Sequence, residues 1–392
     1  MNQRIFIIAG EPSADMHGAH LVKELKCLSP ELTITGIGSK QMKSAGVEIF
    51  ADLAQYAVIG FWEILKHLKT YKSVFNLTLQ KIKELNPQAI VLIDYPGFNL
   101  RLAKKVKEDF PHIKIIYYIS PQIWAWGGKR VSLIKKIVDK MIVLFDFEKE
   151  LYERNNVPVA FVGHPLMDTL SKTCEQPELL KKLNIQFREN IIALLPGSRE
   201  TEVRRILPVM LEGAKLLAKK IPQTTFLLIK SGNIKSALIN HYLKDYKDLN
   251  LTVISEKTYE HLKLCSFAWV CSGTATLETA ILGVPMLIVY KTSFFTWFIS
   301  KTLIKLPFIG LINVVAGKKI IPEFIQFQAT AKNISQCSYE FFLKNKESQN
   351  RIKQELVLAK QKLGSIGANK KAAQVIIDVL LMEPNLRPKH RR

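Results

Sequence analysis

Several stretches of the chain place acids, an arginine or small polar residues directly behind a run of apolar ones. AGEPSAD (residues 9–15) brings two carboxylates, Glu11 and Asp15, with Ser13 between them, behind the apolar run 5–9. IVLIDYPGFN ends an apolar run on Asp94, turns at Pro96 and Gly97, and continues to Asn99. A carboxylate at the mouth of a parallel sheet suits general-base work, because it can take a proton from a hydroxyl within hydrogen-bond reach. The commoner use of such an aspartate is to cap a helix or shape a turn.

The second half of the chain repeats the device with different chemistry. IIALLPGSRETEV sets Pro196, Gly197, Ser198 and Arg199 where a strand should pass into a helix. Free N–H groups at a helix start attract phosphate, and Arg199 adds a permanent charge on a planar fork. The plainer alternative is Ser198 as an N-cap beside a solvated arginine. WVCSGTATLETA runs an apolar strand into Ser272, Gly273 and Thr274. Small residues there let a diphosphate approach a helix N-terminus closely, and Glu278, one turn on, could accept from ribose hydroxyls. A capping box would need Ser or Thr three residues before that acid, and position 275 is Ala, although Thr274 could still cap locally.

Other candidates carry weaker signals. YYISPQIWAWGGKR holds Ser120, Gln122, Trp124 and Trp126 ahead of Lys129 and Arg130. Aromatic faces beside cations suit sugar or phosphate contacts, and equally a core. His164 in VGHPLMD is a lone histidine with no His or Cys at ligand spacing, which is more often structural. Asp146 and Glu148 read as helix-start charge. No Asp-x-Asp occurs, so neither a metal nor a cofactor is expected in the chemistry.

The elements that must position these residues are short β-rich runs alternating with helical patterns. Residues 5–9, 32–38, 89–94, 113–120, 140–145 and 159–163 read as strands apolar on both faces. Runs of that kind, separated by helices, indicate a parallel sheet covered on both sides. The sequence turns polar over residues 169–190, and strands resume at 191–195, 224–230, 251–254, 266–272 and 284–290. The expectation is an α/β protein with two Rossmann-like, doubly wound parallel-sheet domains facing a cleft, over residues 1–170 and 188–365. An amphipathic helix over 368–382 is free to pack back on the first domain, and a basic tail, 386–392, follows.

Composition limits the function classes. The 392 residues exceed one ordinary core, and 56 Lys plus Arg against 34 Asp plus Glu give a net charge of +22. That balance attracts anions: nucleic acid, an acidic bilayer or phosphorylated substrates. Five dispersed cysteines without a CxxC pair point to reduced thiols in a cytoplasm. The opening apolar run is shorter than the roughly 7–15 residues of a signal-peptide core. No stretch reaches the ~18 uncharged apolar residues of a spanning helix. Val58, Phe61, Trp62, Leu65 and Leu68 fall on one helical face with Lys66, Lys69 and Lys72 off it. Core is the default for such a stripe, and a helix lying on an anionic bilayer is the alternative. The lysine-punctuated aromatic segment 293–317 offers a second surface of that type.

Taken in order, AGEPSAD, IDYPGFN, SPQIWAWGGKR, FEKELY, VGHPLMD, LLPGSRETEV, SGTATLETA and LINVVAG resemble the motifs of lipid-A-disaccharide synthases, which are inverting glycosyltransferases of the GT-B fold. The resemblance runs from residue 5 to about 328 and is weakest after 333. It implies transfer from UDP-2,3-diacylglucosamine to 2,3-diacylglucosamine 1-phosphate (lipid X), forming a β-1,6 disaccharide and releasing UDP at the cytoplasmic face of the inner membrane. It also implies that Ser198, Arg199, Gly273, Thr274 and Glu278 hold UDP, with Asn313 and Gln326 as weaker assignments. Asp94 would then be the base, with Glu11 and Asp15 behind it, and Ser13, Asn99, Ser120 and Gln122 on the acyl-sugar side. The partners are the two lipid substrates and the phospholipid surface, not nucleic acid, with a homodimer left open. Two departures stand out: Ala14 replaces a glycine common in the motif, and Gly97 replaces an aspartate.

Two other readings compete. A UDP-N-acetylglucosamine 2-epimerase or another UDP-sugar transferase would account for the second half but not for the 58–68 stripe or SPQIWAW. A basic, non-enzymatic protein on nucleic acid or membrane would account for the charge, but no nucleic-acid motif occurs and the basic residues are spread out.

Overall fold

The computed structural model describes residues 3–53, 68–126, 130–173, 178–182, 185, 190–293, 297, 307–343 and 345–382. Val58, Phe61, Trp62 and Leu65, the basic tail and residues 294–296 and 298–306 of the apolar segment 293–317 lie outside the described residues; Leu68 opens the helix Leu68–Leu85. The chain divides into two compact units, one formed by Met1–Pro165 with Gly364–Arg392 and the other by Leu166–Leu363.

The first unit is built on seven parallel strands: β1 (Arg4–Ala9), β2 (Thr33–Ile37), β3 (Glu48–Ala51), β4 (Ala89–Ile93), β5 (Lys114–Tyr118), β6 (Lys140–Val143) and β7 (Val159–Phe161). Their order is β3-β2-β1-β4-β5-β6-β7. Ile5, Phe6, Ile7 and Ile8 of β1 and all of β4 are inaccessible to solvent, as a strand covered on both faces must be. Each of these Ile, Leu, Val and Phe side chains contributes about 1.5–3 kcal/mol by leaving water. The helix Ala368–Leu381 packs on the helix Pro12–Leu28. It is fastened by Lys114 Nζ, which donates to the Val379 carbonyl at 2.6 Å.

The second unit holds six parallel strands: β8 (Asn190–Leu195), β9 (Thr224–Ile229), β10 (Leu251–Ile254), β11 (Phe267–Cys271), β12 (Met286–Tyr290) and β13 (Glu323–Ile325), in the order β10-β9-β8-β11-β12-β13. Trp269 of β11 is fully buried and its indole N–H donates to Ser338 Oγ at 2.7 Å. That bond ties the sheet to the helix Ala331–Leu343, which also packs on the long helix Glu200–Lys220.

Every strand expected from the apolar runs is present. Two more, β3 and β13, lie at sheet edges and hold only four and three residues. In both sheets the chain first winds outward one way and then returns to wind the other way. The reversals fall between β1 and β4 and between β8 and β11. Loops diverge at such points and leave a crevice beyond the carboxyl ends of the strands.

Candidate active site

At the first reversal point, Glu11 follows β1 and Asp94 follows its neighbour β4, whose last residue Ile93 pairs with Ala9. Asp94 and Tyr95 are consecutive residues in the left-handed region, each at φ +46°. That conformation costs a residue with a Cβ about 1–3 kcal/mol and is maintained only where surroundings over-determine it. Gly10 is part of the reason it holds: the Tyr95 ring lies where a Gly10 Cβ would stand, 2.3 Å away. Burial, and then the charge of Glu11, pushes the Asp94 carboxyl from its ordinary range up to about 6. A carboxylate of that strength is a competent base at neutral pH.

The remaining residues of this edge have different surroundings. Asp15 is buried, and its carboxylate accepts from the N–H groups of Ser39, Gln41 and Met42 at 2.6, 3.0 and 3.3 Å. It therefore caps the helix Lys40–Ser44 from across the fold. Ser13 is exposed in the first turn of the helix Pro12–Leu28, and Ala14 has an ordinary helical backbone there, so the missing glycine strains nothing. Asn99 is fully buried, with Nδ2 donating to the Ile93 and Asp94 carbonyls. Ser120 is buried against the Tyr152 hydroxyl at 2.9 Å, whereas Gln122 is exposed. Gly97 has open space where a side chain would stand.

Glu148 stands in the first turn of the helix Asp146–Arg154, as expected, but inside the fold. It is 3% exposed, accepts from the Trp124 indole N–H at 3.1 Å, and is pushed by burial up to about 8. His164 is buried against the Phe145 ring, and burial, with His17 nearby, lowers it to about 3, so the imidazole is neutral.

At the second reversal point, a cavity of about 460 Å³ opens beyond the ends of β8, β9 and β11. Ser198, Arg199, Gly273, Thr274 and Glu278 all line it. The N–H groups of Ser198 and Arg199, expected to be free for phosphate, are taken by Glu202 Oε2 at 3.1 and 3.2 Å, and Glu202 Oε1 meets the Arg199 guanidinium at 3.2 Å. Glu202 sits one turn into the helix Glu200–Lys220 and folds back on its start. Gly197, at φ +119°, admits this carboxylate: a Cβ there would stand 2.6 Å from Glu202 Oε2. The guanidinium itself is mostly exposed and open to an anion. The turn Ser272–Thr274 precedes the helix Ala275–Ile281, and the Thr276, Leu277 and Glu278 N–H groups donate back to the Gly273 and Thr274 carbonyls at 2.9–3.1 Å.

Glu278 is raised by burial, which the hydrogen bond from Tyr259 partly offsets. Tyr259 lines the same cavity and is pushed up to about 12 by burial and by Glu278. Tyr259 belongs to no quoted motif, and Glu202, although inside LLPGSRETEV, was not singled out there. Lys230, at the end of β9, is another lining cation that no pattern marked.

Asn313 and Gln326 stand elsewhere. Asn313 is fully buried, accepting from the Ile320 and Ile321 N–H groups and donating to the Ile321 carbonyl and Glu323 Oε1. Gln326, at φ +53°, exchanges two hydrogen bonds with the Thr292 backbone. Among the described residues, no three His, Cys, Asp or Glu side chains gather as a metal-binding group, and none of the helices is long and apolar enough to cross a membrane. Cys27, Cys265 and Cys271 are free thiols.

Comparison with known proteins places this geometry. The family described as lipid-A-disaccharide synthetase matches residues 5–376. The chain is 42% identical over 366 residues to lipid-A-disaccharide synthase 1 of Legionella pneumophila (strain Lens), covering 93% of this chain and 94% of the relative. It is 39% identical over 379 residues to the lipid-A-disaccharide synthase of Geobacter metallireducens, covering 97% and 98%. Among solved structures, the Staphylococcus aureus MnaA–UDP co-structure shares a TM-score of 0.63 at 12% identity, over 96% of this chain and 97% of that one. A glycosyltransferase from Rickettsia africae shares 0.59 at 12%, over 97% and 99%. Those likenesses carry the fold, two parallel-sheet α/β units of the GT-B type. With so much of the chain aligned at this identity, it belongs to the lipid-A-disaccharide synthase family of glycosyltransferases.

Proposed function

We propose that the chain transfers 2,3-diacylglucosamine from UDP-2,3-diacylglucosamine to the 6-hydroxyl of 2,3-diacylglucosamine 1-phosphate, with inversion, forming a β-1,6 disaccharide and UDP. The observation that carries the reading is the convergence of Arg199, Gly273, Thr274 and Glu278 on one cavity at a sheet reversal point. In this reading Arg199 and the Ser272–Thr274 turn meet the diphosphate, and Glu278 accepts from ribose. Asp94 takes the proton of the 6-hydroxyl as its oxygen attacks the anomeric carbon. The bond from that carbon to the diphosphate oxygen breaks, and UDP leaves with the electron pair. A guanidinium beside the leaving group stabilises its growing charge. Glu11 stays second to Asp94 as base, and Ser13 and Gln122 are exposed and available to the acceptor. Asp15, Asn99, Ser120, Asn313 and Gln326 act by holding structure.

The charge of +22 supports work on anionic substrates at an anionic lipid surface. We place the chain at the cytoplasmic face of the inner membrane, with Phe61 and Trp62 among the contacts. Replacing both by Ser is expected to reduce co-sedimentation with acidic liposomes while the protein stays folded. Loss of the folded state would return the stripe to the core. The test of the activity is release of UDP from the purified chain given both lipid substrates, with the disaccharide identified by mass. Absence of both products overturns the proposal.

A further inference from the structure

We infer that Tyr117 and Asn99 are positioning residues for Asp94, gripping its backbone carbonyl so that the turn bearing the carboxylate keeps one geometry. The inference rests on the proposed role of Asp94 as base. Two successive left-handed residues, Asp94 and Tyr95, would relax if the chain around them allowed it. The Asp94 carbonyl oxygen accepts from the Tyr117 hydroxyl at 2.6 Å and from Asn99 Nδ2 at 2.7 Å. The same Nδ2 donates to the Ile93 carbonyl at 3.2 Å, so one amide joins the last strand residue to the turn. Asn99 Oδ1 is buried and has no partner, so this side chain serves as a donor.

Other bonds close the remaining freedom. The Asp94 N–H donates to the Tyr118 carbonyl at 3.1 Å, carrying the β4–β5 ladder one residue further. The Tyr95 carbonyl accepts from the Phe98 and Asn99 N–H groups at 3.3 and 3.1 Å. The Asp94 carboxylate itself accepts from the Tyr95 N–H, so the backbone of the turn is taken up on every side.

Tyr117 is informative because its hydroxyl is aimed at this turn, meeting the Asp94 carbonyl and the Asn99 side chain. It is fully buried on β5, where Ile115 and Ile116 are equally inaccessible. Phenylalanine would fill the same space. A buried hydroxyl is tolerated only with a partner, and the partner here is the carbonyl of the base itself. Displacing a catalytic group by about 1 Å is enough to cost on the order of 100-fold in rate.

The test compares Tyr117→Phe and Asn99→Ala with the parent protein. It reads kcat, the acceptor KM, the UDP dissociation constant, the pH dependence of kcat/KM and the circular dichroism spectrum. A positioning role lowers kcat by about 10–100-fold with KM and UDP affinity nearly unchanged. It also moves the acid limb to lower pH, because a loosened turn lets water reach the carboxylate. A folded Tyr117→Phe with parental kcat and an unmoved limb overturns the inference. If Tyr117→Phe does not fold, Asn99→Ala is read by the same criteria. Loss of the fold in both variants would make the pair fold determinants and would also overturn it. Asp94→Asn, run alongside, separates the two levels. Full turnover in that variant removes the base assignment and the clamp together, whereas an inactive Asp94→Asn beside a fully active Tyr117→Phe removes the clamp alone.

Discussion

Replacing Asp94 by Asn distinguishes a working base from a structural aspartate, because the two cases predict opposite changes in stability. Raising a carboxyl from 3.8 to about 6 means that the folded protein resists its ionisation by about 3 kcal/mol. The folded value lies above the unfolded one, so the unfolded chain releases this proton first. The contribution to stability is therefore nil below pH about 4, falls between 4 and 6, and stays at its most unfavourable above 6. Asparagine has the same shape, tolerates the left-handed backbone and cannot ionise. Asp94→Asn is thus expected to be inactive and yet more stable than the parent by about 1–3 kcal/mol at pH 7.5, with the difference gone at pH 4. Scanning calorimetry at the two pH values reads this. Each kcal/mol moves the midpoint of a domain this size by roughly 2–4 °C, and the relevant transition is that of the first unit, since two units need not unfold together. A lower midpoint at pH 7.5, or a gap that widens toward acid, would refute the reasoning and make Asp94 a structural partner.

Three further outcomes are expected. Glu11→Gln removes the charge that helps hold Asp94 protonated, so the acid limb of kcat/KM should shift below about 6; an unmoved limb would show that Glu11 does not act on the base. Arg199→Ala removes a guanidinium that can make charge-assisted hydrogen bonds, so the UDP dissociation constant should rise about 10–100-fold by titration calorimetry, and an unchanged constant would refute its phosphate contact. Asp15→Ala strips the cap from the helix Lys40–Ser44 and should lower stability by about 1–2 kcal/mol in urea denaturation, with UDP binding by the second unit preserved.

Much of this organisation was legible in the sequence because parallel strands buried on both faces are written as unbroken apolar runs. The polar residues that end those runs then mark the carboxyl edge of each sheet, which is how Asp94, Arg199 and Gly273 could be picked out. β3 and β13 were missed because an edge strand of three or four residues needs neither alternation nor a long apolar run. Residue type alone could not separate Asp94 from Asp15. Both follow a strand on the same sheet edge, and only the partner segment 39–42, distant in sequence, shows that one carboxylate is a helix cap. Glu148 deceived for the same reason, since its burial against Trp124 is set by the packing of two elements. At the cavity of the second unit the arginine was plain, but the fold-back of Glu202 onto its own helix start depends on the turn at Gly197.

The return of residues 364–381 to the first unit has a consequence for how the chain is made. The second unit, Leu166–Leu363, is continuous and can complete its contacts as soon as it leaves the ribosome, whereas the first, although begun earlier, must wait for its last helix. Until then Lys114 lacks the Val379 carbonyl that fastens it, and the face of the helix Pro12–Leu28 that receives the late helix stays bare. A nascent or truncated chain ending before residue 368 therefore presents an apolar seam that a chaperone would bind, and proteolysis or translational arrest should strike the N-terminal half even though the lesion lies at the C-terminus.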